Sequence, residues 1–124
     1  MHSRTVLLLG LGDSLNSELK LALGLLRQPV HALPAIPVAE CRQAIERLGI
    51  DLVFCPAEPG SYRALLEGTV PVVVVSARPE ISEWLDAMDA GAADYCAPPF
   101  DAAHIGWILQ AAPHQASARR RACS

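Results

Sequence analysis

The chain has 124 residues, of which 52% are hydrophobic and 19% are charged, and its formal net charge is −3. This length corresponds to one ordinary domain, and this composition predicts a buried core and excludes a disordered chain. The small negative charge gives no general attraction to nucleic acid, so no nucleic-acid partner is expected. The longest apolar runs, residues 6–9 and 70–75, are far shorter than the roughly 20 residues of a membrane-spanning helix, so no membrane span is expected.

Two further features concern location and cofactors. The apolar run after Arg4 ends at Gly10-Leu11-Gly12-Asp13 without a small-residue cleavage pattern, so we expect no signal peptide and a cytoplasmic protein. The cysteines have no C-x-x-C spacing and no neighbouring histidine cluster, which predicts free thiols and argues against a zinc site. We therefore expect neither a metal nor a cofactor. The cysteines in question are Cys41, Cys55, Cys96 and Cys123.

The first half of the chain alternates between β-favouring runs and helical periodicity. Residues 5–9, 30–33 and 51–55 are predicted strands, and the prolines that flank the second one favour a sheet edge. Between these strands, apolar residues recur at three- and four-residue steps over 15–26 and 41–48. This spacing predicts two helices, each with one buried face.

The middle of the chain contains a loop and the most apolar strand. Two prolines and a glycine predict a loop over residues 56–60, and a brief helix is expected over 62–67. Residues 70–75 form a predicted fourth strand. Its unbroken valines indicate a strand covered on both faces, and we expect it in the middle of the sheet.

The last third predicts two helices around one short strand. Pro79 can open a helix that Gly91 ends, and residues 93–97 form the fifth predicted strand. Asp101 can cap a final amphipathic helix that is expected to end before Pro113. The predicted buried stripe of the helix after Pro79 consists of Ile81, Trp84, Leu85 and Met88.

Strands that alternate with helices five times predict an α/β domain. Crossovers between parallel strands are right-handed, so the expected architecture is a five-stranded parallel sheet with helices on both faces. Periodicity alone does not determine the order of the strands. We expect residues 1–113 to form this domain and residues 114–124, which include Arg119 to Arg121, to form a flexible basic tail.

Three segments of the second half carry a family resemblance. They are Val70 to Arg78, Leu85 to Tyr95 with its alanine-glycine-alanine turn, and Pro98-Pro99-Phe100. Together they resemble the second half of a response-regulator receiver domain, in which the fourth strand ends in Ser or Thr and the fifth runs into Lys-Pro-Phe. The resemblance implies a flavodoxin-like receiver fold with strand order 2-1-3-4-5.

Receiver chemistry, as the resemblance implies it, needs an acidic pair after the first strand to hold Mg²⁺. In this sequence the pair falls at Gly10 and Leu11, which cannot coordinate a hard cation. Asp13 is the only carboxylate in that loop, and we interpret it as a helix cap rather than a metal ligand. The sequence thus departs from the family at its metal site.

The remaining chemistry of the family needs an aspartate nucleophile, a hydroxyl and a lysine. The nucleophile position maps to Pro56 when counted from Asp51, or to Cys55 when counted back from Pro59. Pro98 replaces the lysine, and Ser76 alone is retained. Tyr95 matches the aromatic residue that reports phosphorylation in the family, although a half-buried packing role explains it equally well. The resemblance therefore implies a degenerate pseudo-receiver that cannot accept a phosphoryl group.

The preferred functional interpretation is a non-enzymatic signalling module that binds a protein partner in a two-component or other regulatory pathway. Receivers often dimerise through the fourth helix, fifth strand and fifth helix, so a homodimer through this face is expected. Trp84 and Trp107 lie in these helices and could serve either in the interface or in the core. The exposed face of the fourth helix is predicted to offer Glu80, Glu83, Asp86 and Asp89.

Two other interpretations remain open. The first is a sensor that binds a small molecule or nucleotide in the vacated pocket. Gly10-Leu11-Gly12 could cradle a phosphate there, but a plain tight turn is favoured. The second is an enzyme with Cys55 as nucleophile and His31 or His104 as base, which we do not expect because nothing in the spacing brings these residues together. The residues expected to line the sensor pocket are Gly10, Gly12, Cys55, Ser76 and Pro98.

Overall fold

Five short parallel strands form the centre of the molecule. The computed structural model describes the backbone of residues 4–123, and it describes their side chains except at Pro59 and residues 113–123. The sheet order is β2-β1-β3-β4-β5, and every neighbouring pair is parallel, which confirms the predicted fold class and strand order. The strands are β1 (Val6–Leu9), β2 (Val30–Leu33), β3 (Leu52–Pro56), β4 (Val72–Val75) and β5 (Asp94–Cys96).

Helices cover both faces of this sheet. Side chains of successive strand residues point to opposite faces, so each strand contributes to two separate apolar clusters. One cluster packs the sheet against α1 and α5, and the other packs it against α2, α3 and α4. A 3-10 turn at Leu65–Glu67 follows α3. The helices are α1 (Asp13–Leu25), α2 (Val38–Leu48), α3 (Pro59–Tyr62), α4 (Ile81–Ala90) and α5 (Ala102–Cys123).

The C-terminal ends of α2 and α4 and the start of α5 follow the sequence signals, whereas the start of α1 does not. Gly91 ends α4 in the left-handed conformation, as predicted, and Gly49 ends α2 in the same conformation directly after the predicted helix 41–48. The Asp101 carboxylate accepts a hydrogen bond from the Ala103 N–H at 3.0 Å and so caps α5. The expected cap at Asp13 is wrong, because Gly12 holds the N-cap position of α1 and Asp13 is already helical.

The position of β4 also differs from the prediction. All four residues of β4 are buried, as the unbroken valines indicated. However, the middle strand of the sheet is β3, and β4 lies between β3 and β5. Burial on both faces reports only that helices cover the strand, so it does not distinguish the central strand from its interior neighbour.

The apolar stripe predicted to be the buried face of α4 is largely exposed. Ile81, Trp84 and Leu85 are 76%, 45% and 47% exposed, whereas Ala87 is fully buried. Met88 packs partly against the core, as predicted. The reason is that α4 contacts the rest of the molecule through the side that carries Glu83 and Ala87, and its three large apolar residues point away from it.

The last helix is longer than predicted. The backbone of α5 continues through Pro113 to Cys123, so its expected end before Pro113 is wrong. A proline removes one backbone hydrogen bond, but residues 111–122 are rich in alanine and arginine, which favour helix. The domain boundary at residue 113 and the flexible tail stay predictions. Within residues 4–123, no helix combines the length and the apolarity needed to cross a membrane.

Candidate functional site

A cleft lies where the strands of the sheet end. The register pairs Leu9 with Leu33 and Pro56 with Val75, so the carboxyl ends of the parallel strands meet along one edge. The loops that follow β1, β3 and β4 enclose a cleft of about 850 Å³ at this edge. Ligand sites of parallel α/β sheets occur at this edge, so the cleft is the candidate functional site.

The β1 side of the cleft offers backbone and an apolar side chain. Gly10 donates its N–H to the Leu33 carbonyl at 2.8 Å and has a φ of +66°, which favours glycine. A Cβ at Gly10 would lie 3.4 Å from Ala35. Leu11 lines the cleft and packs into the α1–α5 cluster. Asp13 and Gly12 are exposed and do not line the cleft.

The end of β3 places a proline, not a nucleophile, at the cleft. Pro56 lines the cleft, whereas Cys55 is fully buried in the α2–α4 cluster. Burial, with a smaller contribution from Cys41, raises the pKa of the Cys55 thiol to about 12. His31 in β2 and His104 in α5 lie outside the cleft lining. This arrangement does not support the cysteine-nucleophile hypothesis.

The β4 side contains a hydrogen-bonded group that we call the Glu83 clamp, formed by Ser76, Glu83 and Tyr95. The Ser76 hydroxyl donates to Oε1 of Glu83 at 2.8 Å, and the Tyr95 hydroxyl donates to the same oxygen at 2.9 Å. The Arg78 N–H donates to the Ser76 hydroxyl oxygen at 3.2 Å. Burial, reinforced by the Glu83 carboxylate, raises the pKa of Tyr95. The clamp connects the β4 end, α4 and β5.

Glu83 is the main residue of this site that the sequence did not identify. We expected it on the exposed face of α4, but its side chain is partly buried and faces Ser76. Glu83 lies one helical turn before the fully buried Ala87, and residues four apart share a helix face. The small residue Ala87 was therefore the sequence signal that this side of α4 faces the sheet and that Glu83 points the same way.

The magnesium site that the family resemblance implies does not fit these residues. Gly10, Leu11 and Pro56 stand where carboxylates would be needed, and none can bind a hard cation through its side chain. Among the residues with described side chains, no group of three or more His, Cys, Asp or Glu could hold a metal ion. Pro98, in the place of the family's lysine, is partly buried and does not line the cleft.

The residues predicted for an interface are all exposed. Trp84, Asp86 and Asp89 lie on the outer side of α4, and Trp107 on α5 is 52% exposed. Trp84 also borders a shallow groove of about 210 Å³ with Pro79, Glu80, Ile81 and Tyr95. Neither tryptophan therefore has the core position that the sequence left open.

The described cysteines have the predicted state. Cys41, Cys55 and Cys96 are free and buried. Burial, with a smaller contribution from Asp94, raises the pKa of the Cys96 thiol to about 12. The side chain of Cys123 lies outside the described residues. Thiols with such pKa values stay protonated and unreactive at neutral pH.

Comparisons with known proteins agree on the fold. No family model and no curated protein matches the sequence. A response regulator from Thermotoga maritima is 21% identical with a TM-score of 0.75, covering 91% of this chain and 99% of that chain. A CheY-like protein (tadZ) from Pseudomonas aeruginosa is 18% identical with a TM-score of 0.75, covering 89% of this chain and 99% of that chain.

A third solved structure extends the same pattern. The signal receiver domain of an HD domain-containing protein from Pseudomonas fluorescens is 21% identical with a TM-score of 0.68. The alignment covers 94% of this chain and 99% of that domain. Identities this low establish the arrangement of elements and not the chemistry of the site. The chain therefore has the flavodoxin-like fold of response-regulator receiver domains.

Proposed function

We propose that this chain is a receiver-like signalling module that is not phosphorylated and acts by binding a protein partner in a two-component or related pathway. The observation that carries this proposal is the Glu83 clamp. Ser76 is the one retained group of the family's phosphorylation site, and its hydroxyl donates to Glu83. A module that works without phosphorylation can keep this serine in a structural role.

The chemistry of phosphoryl transfer supports the same conclusion. The reaction needs a nucleophile and cationic groups that offset the charge of the transferred phosphoryl group. At the β3 end, Pro56 has no nucleophilic atom, and the neighbouring Cys55 thiol is buried with a pKa of about 12. Glu58, Glu80 and Glu83 line the cleft, and their carboxylates would repel a phosphoryl dianion.

The outer face of α4 supports binding of a protein partner. Ile81, Trp84 and Leu85 occupy adjacent positions on this face and are all exposed. Contiguous exposed apolar side chains mark interaction surfaces, and tryptophan is enriched among interface hot spots. One version of the proposal is a homodimer through α4, β5 and α5, in which Trp84, Asp86, Asp89 and Trp107 contribute. The free buried thiols support a cytoplasmic location.

Incubation with beryllofluoride and Mg²⁺, or with acetyl phosphate and Mg²⁺, tests the first half of the proposal. We expect no saturable change in tryptophan fluorescence, to which Trp84 contributes from its position beside Tyr95, and no phosphoryl adduct by intact mass. A phosphorylatable receiver domain treated in parallel provides the positive control. A stable adduct on this chain would refute the proposal.

A second candidate function is a ligand sensor. The specific observation in its favour is the cleft of about 850 Å³ at the strand ends. Sites for small molecules typically have volumes of about 300–1,000 Å³ and a mostly apolar lining. Ligand binding here and partner binding on the outer face of α4 use different surfaces, and Glu83, which belongs to both the cleft lining and the clamp, connects the two.

A further inference from the structure

The cleft at the strand ends combines apolar walls with a polar rim. The apolar walls come mainly from the β1 end, the start of α2 and the turn after α3, and the loops after β3 and β4 supply most of the polar groups. Apolar side chains line these walls where an anion-binding cradle would need donors or cations. The apolar members include Leu11, Leu15, Ile36, Val38 and Leu65.

The charged groups of the cleft are mostly negative. Glu58, Glu80 and Glu83 line it, and Arg78 is the one cationic side chain among the described residues of the lining. Glu58 and Glu80 are exposed, and among the residues with described side chains their carboxylates have no hydrogen-bond or ion-pair partner. Carboxylates beside a partly apolar wall attract cations and disfavour phosphate or carboxylate groups.

We propose that this cleft binds an apolar small molecule that carries one cationic group of the amine class, and that it excludes nucleotides and other anions. This inference rests on the second candidate function, the ligand sensor, and narrows its ligand class. The apolar part of the ligand lies against the walls formed by β1 and α2, and its cation faces Glu58 and Glu80. Glu83 also lines the cleft, so the ligand site and the Glu83 clamp share a residue.

Three probes with the same alkyl chain test the charge selectivity: octylamine, 1-octanol and octanoate. Binding is followed at neutral pH by amide chemical shifts of the isotope-labelled full chain. We expect saturable shifts at cleft residues Gly10, Ala57 and Ala77, and none at Gly24 or Gly49, which lie outside the lining. Octylamine should bind about threefold to tenfold more tightly than octanol, because each partly exposed charge pair strengthens binding only a few-fold. Octanoate should bind more weakly than octanol.

A pair of double variants locates the cation. Glu58→Gln with Glu80→Gln should lower octylamine affinity to that of octanol and leave octanol binding unchanged. Glu18→Gln with Glu46→Gln changes the same charge on exposed residues outside the cleft, so it should leave all three affinities unchanged.

Several results would overturn the inference. Equal binding of the three probes would show an apolar site without charge selection, and tighter binding of octanoate would reverse the proposed class. Shifts confined to the outer face of α4 would place the apolar contact elsewhere. The absence of saturable shifts with every probe would remove the ligand sensor altogether. The phosphorylation-independent signalling role would survive that result, because beryllofluoride tests it separately.

Discussion

The helix α4 reverses the usual arrangement of an amphipathic helix, in which large apolar residues face the core and polar residues face the solvent. Its inner face is held by the Glu83 clamp and by Ala87, a polar contact and a small fully buried residue. Its outer face exposes Ile81, Trp84 and Leu85. Large apolar side chains are the usual means of attaching a helix to a core, and here they are left outside. This difference indicates that the clamp and small or partly buried residues attach α4, and it leaves a large apolar face exposed, which is the surface we propose for a partner.

The largest expected effect that tests this comparison comes from the inner face. Glu83→Ala removes the acceptor shared by two hydroxyls, one of them on the buried Ser76. Leaving such groups without a partner costs about 1–3 kcal/mol, so the free energy of unfolding should fall by that amount in urea denaturation. Asp86→Ala on the exposed side should change it by less than about 0.5 kcal/mol.

Glu83→Gln gives a finer test of the clamp. The glutamine keeps one acceptor oxygen but loses the charge, so its stability should lie between those of wild type and Glu83→Ala. Equal losses for Glu83→Ala and Asp86→Ala would mean that the clamp contributes nothing to the attachment of α4.

Burial and turn chemistry explain which parts of the fold the sequence could predict. The helices α1 and α2 have apolar residues at helical spacing opposite polar faces, and Leu19, Leu23 and Cys41, which lie within the two predicted stripes, are buried. Gly49 and Gly91 end helices because their backbone is left-handed there. Such signals are local, so they can be read without knowing the tertiary contacts.

The errors about α4 have a different origin, because they depend on contacts between distant segments. The stripe of Ile81, Trp84 and Leu85 has helical periodicity whether it faces the core or a partner, so the pattern could not decide between them. The direction of Glu83 is set by Ser76 and Tyr95, which lie in β4 and β5 regions. Long-range hydrogen bonds of this kind leave no spacing signal of their own, and the small residue Ala87, one turn after Glu83, was the one local sign of the inner face.

The candidate site was predictable to the extent that it depends on strand ends. Gly10, Leu11, Pro56 and Ser76 were expected at the cleft and line it, whereas Gly12 and Pro98 were also expected there and do not. The Cys55 side chain points into the core, because successive residues of β3 face opposite sides of the sheet. Which side Cys55 faces became visible only from the register of β3. The sequence did not predict that α2 and the turn after α3 form walls of the cleft, because the positions of these segments follow from packing and not from periodicity.

The outer face of α4 should respond to substitution in association and not in stability. Trp84→Ala should weaken self-association about tenfold, since truncation of an interface anchor costs more than about 1 kcal/mol. Its free energy of unfolding should change by less than about 1 kcal/mol, because Trp84 is 45% exposed in the monomer. Sedimentation velocity and urea denaturation measure the two quantities. A loss of several kcal/mol in stability would mean that Trp84 packs as a core residue.

The smallest expected effect concerns the charges beside the exposed residues Ile81, Trp84 and Leu85 of α4. Asp86 and Asp89 are exposed on α4, and Arg78 lies in the loop between β4 and α4. Surface ion pairs contribute under about 1 kcal/mol each and mainly set the register of an interface. Reversing both carboxylates, Asp86→Lys with Asp89→Lys, should therefore weaken self-association by less than Trp84→Ala does, and without changing the fold.

Sedimentation at several protein and salt concentrations separates an interface from a merely solvated face. If the carboxylates lie at the interface, the effect of the double reversal should shrink at high salt, because ions screen exposed charges. The matched variant, Glu18→Lys with Glu46→Lys, changes the net charge equally on exposed parts of α1 and α2 and should leave association unchanged. Equal effects of the two variants would assign the change to net charge alone. A wild type that stays monomeric at high concentration would remove the homodimer and leave a different protein as the partner of the exposed face of α4.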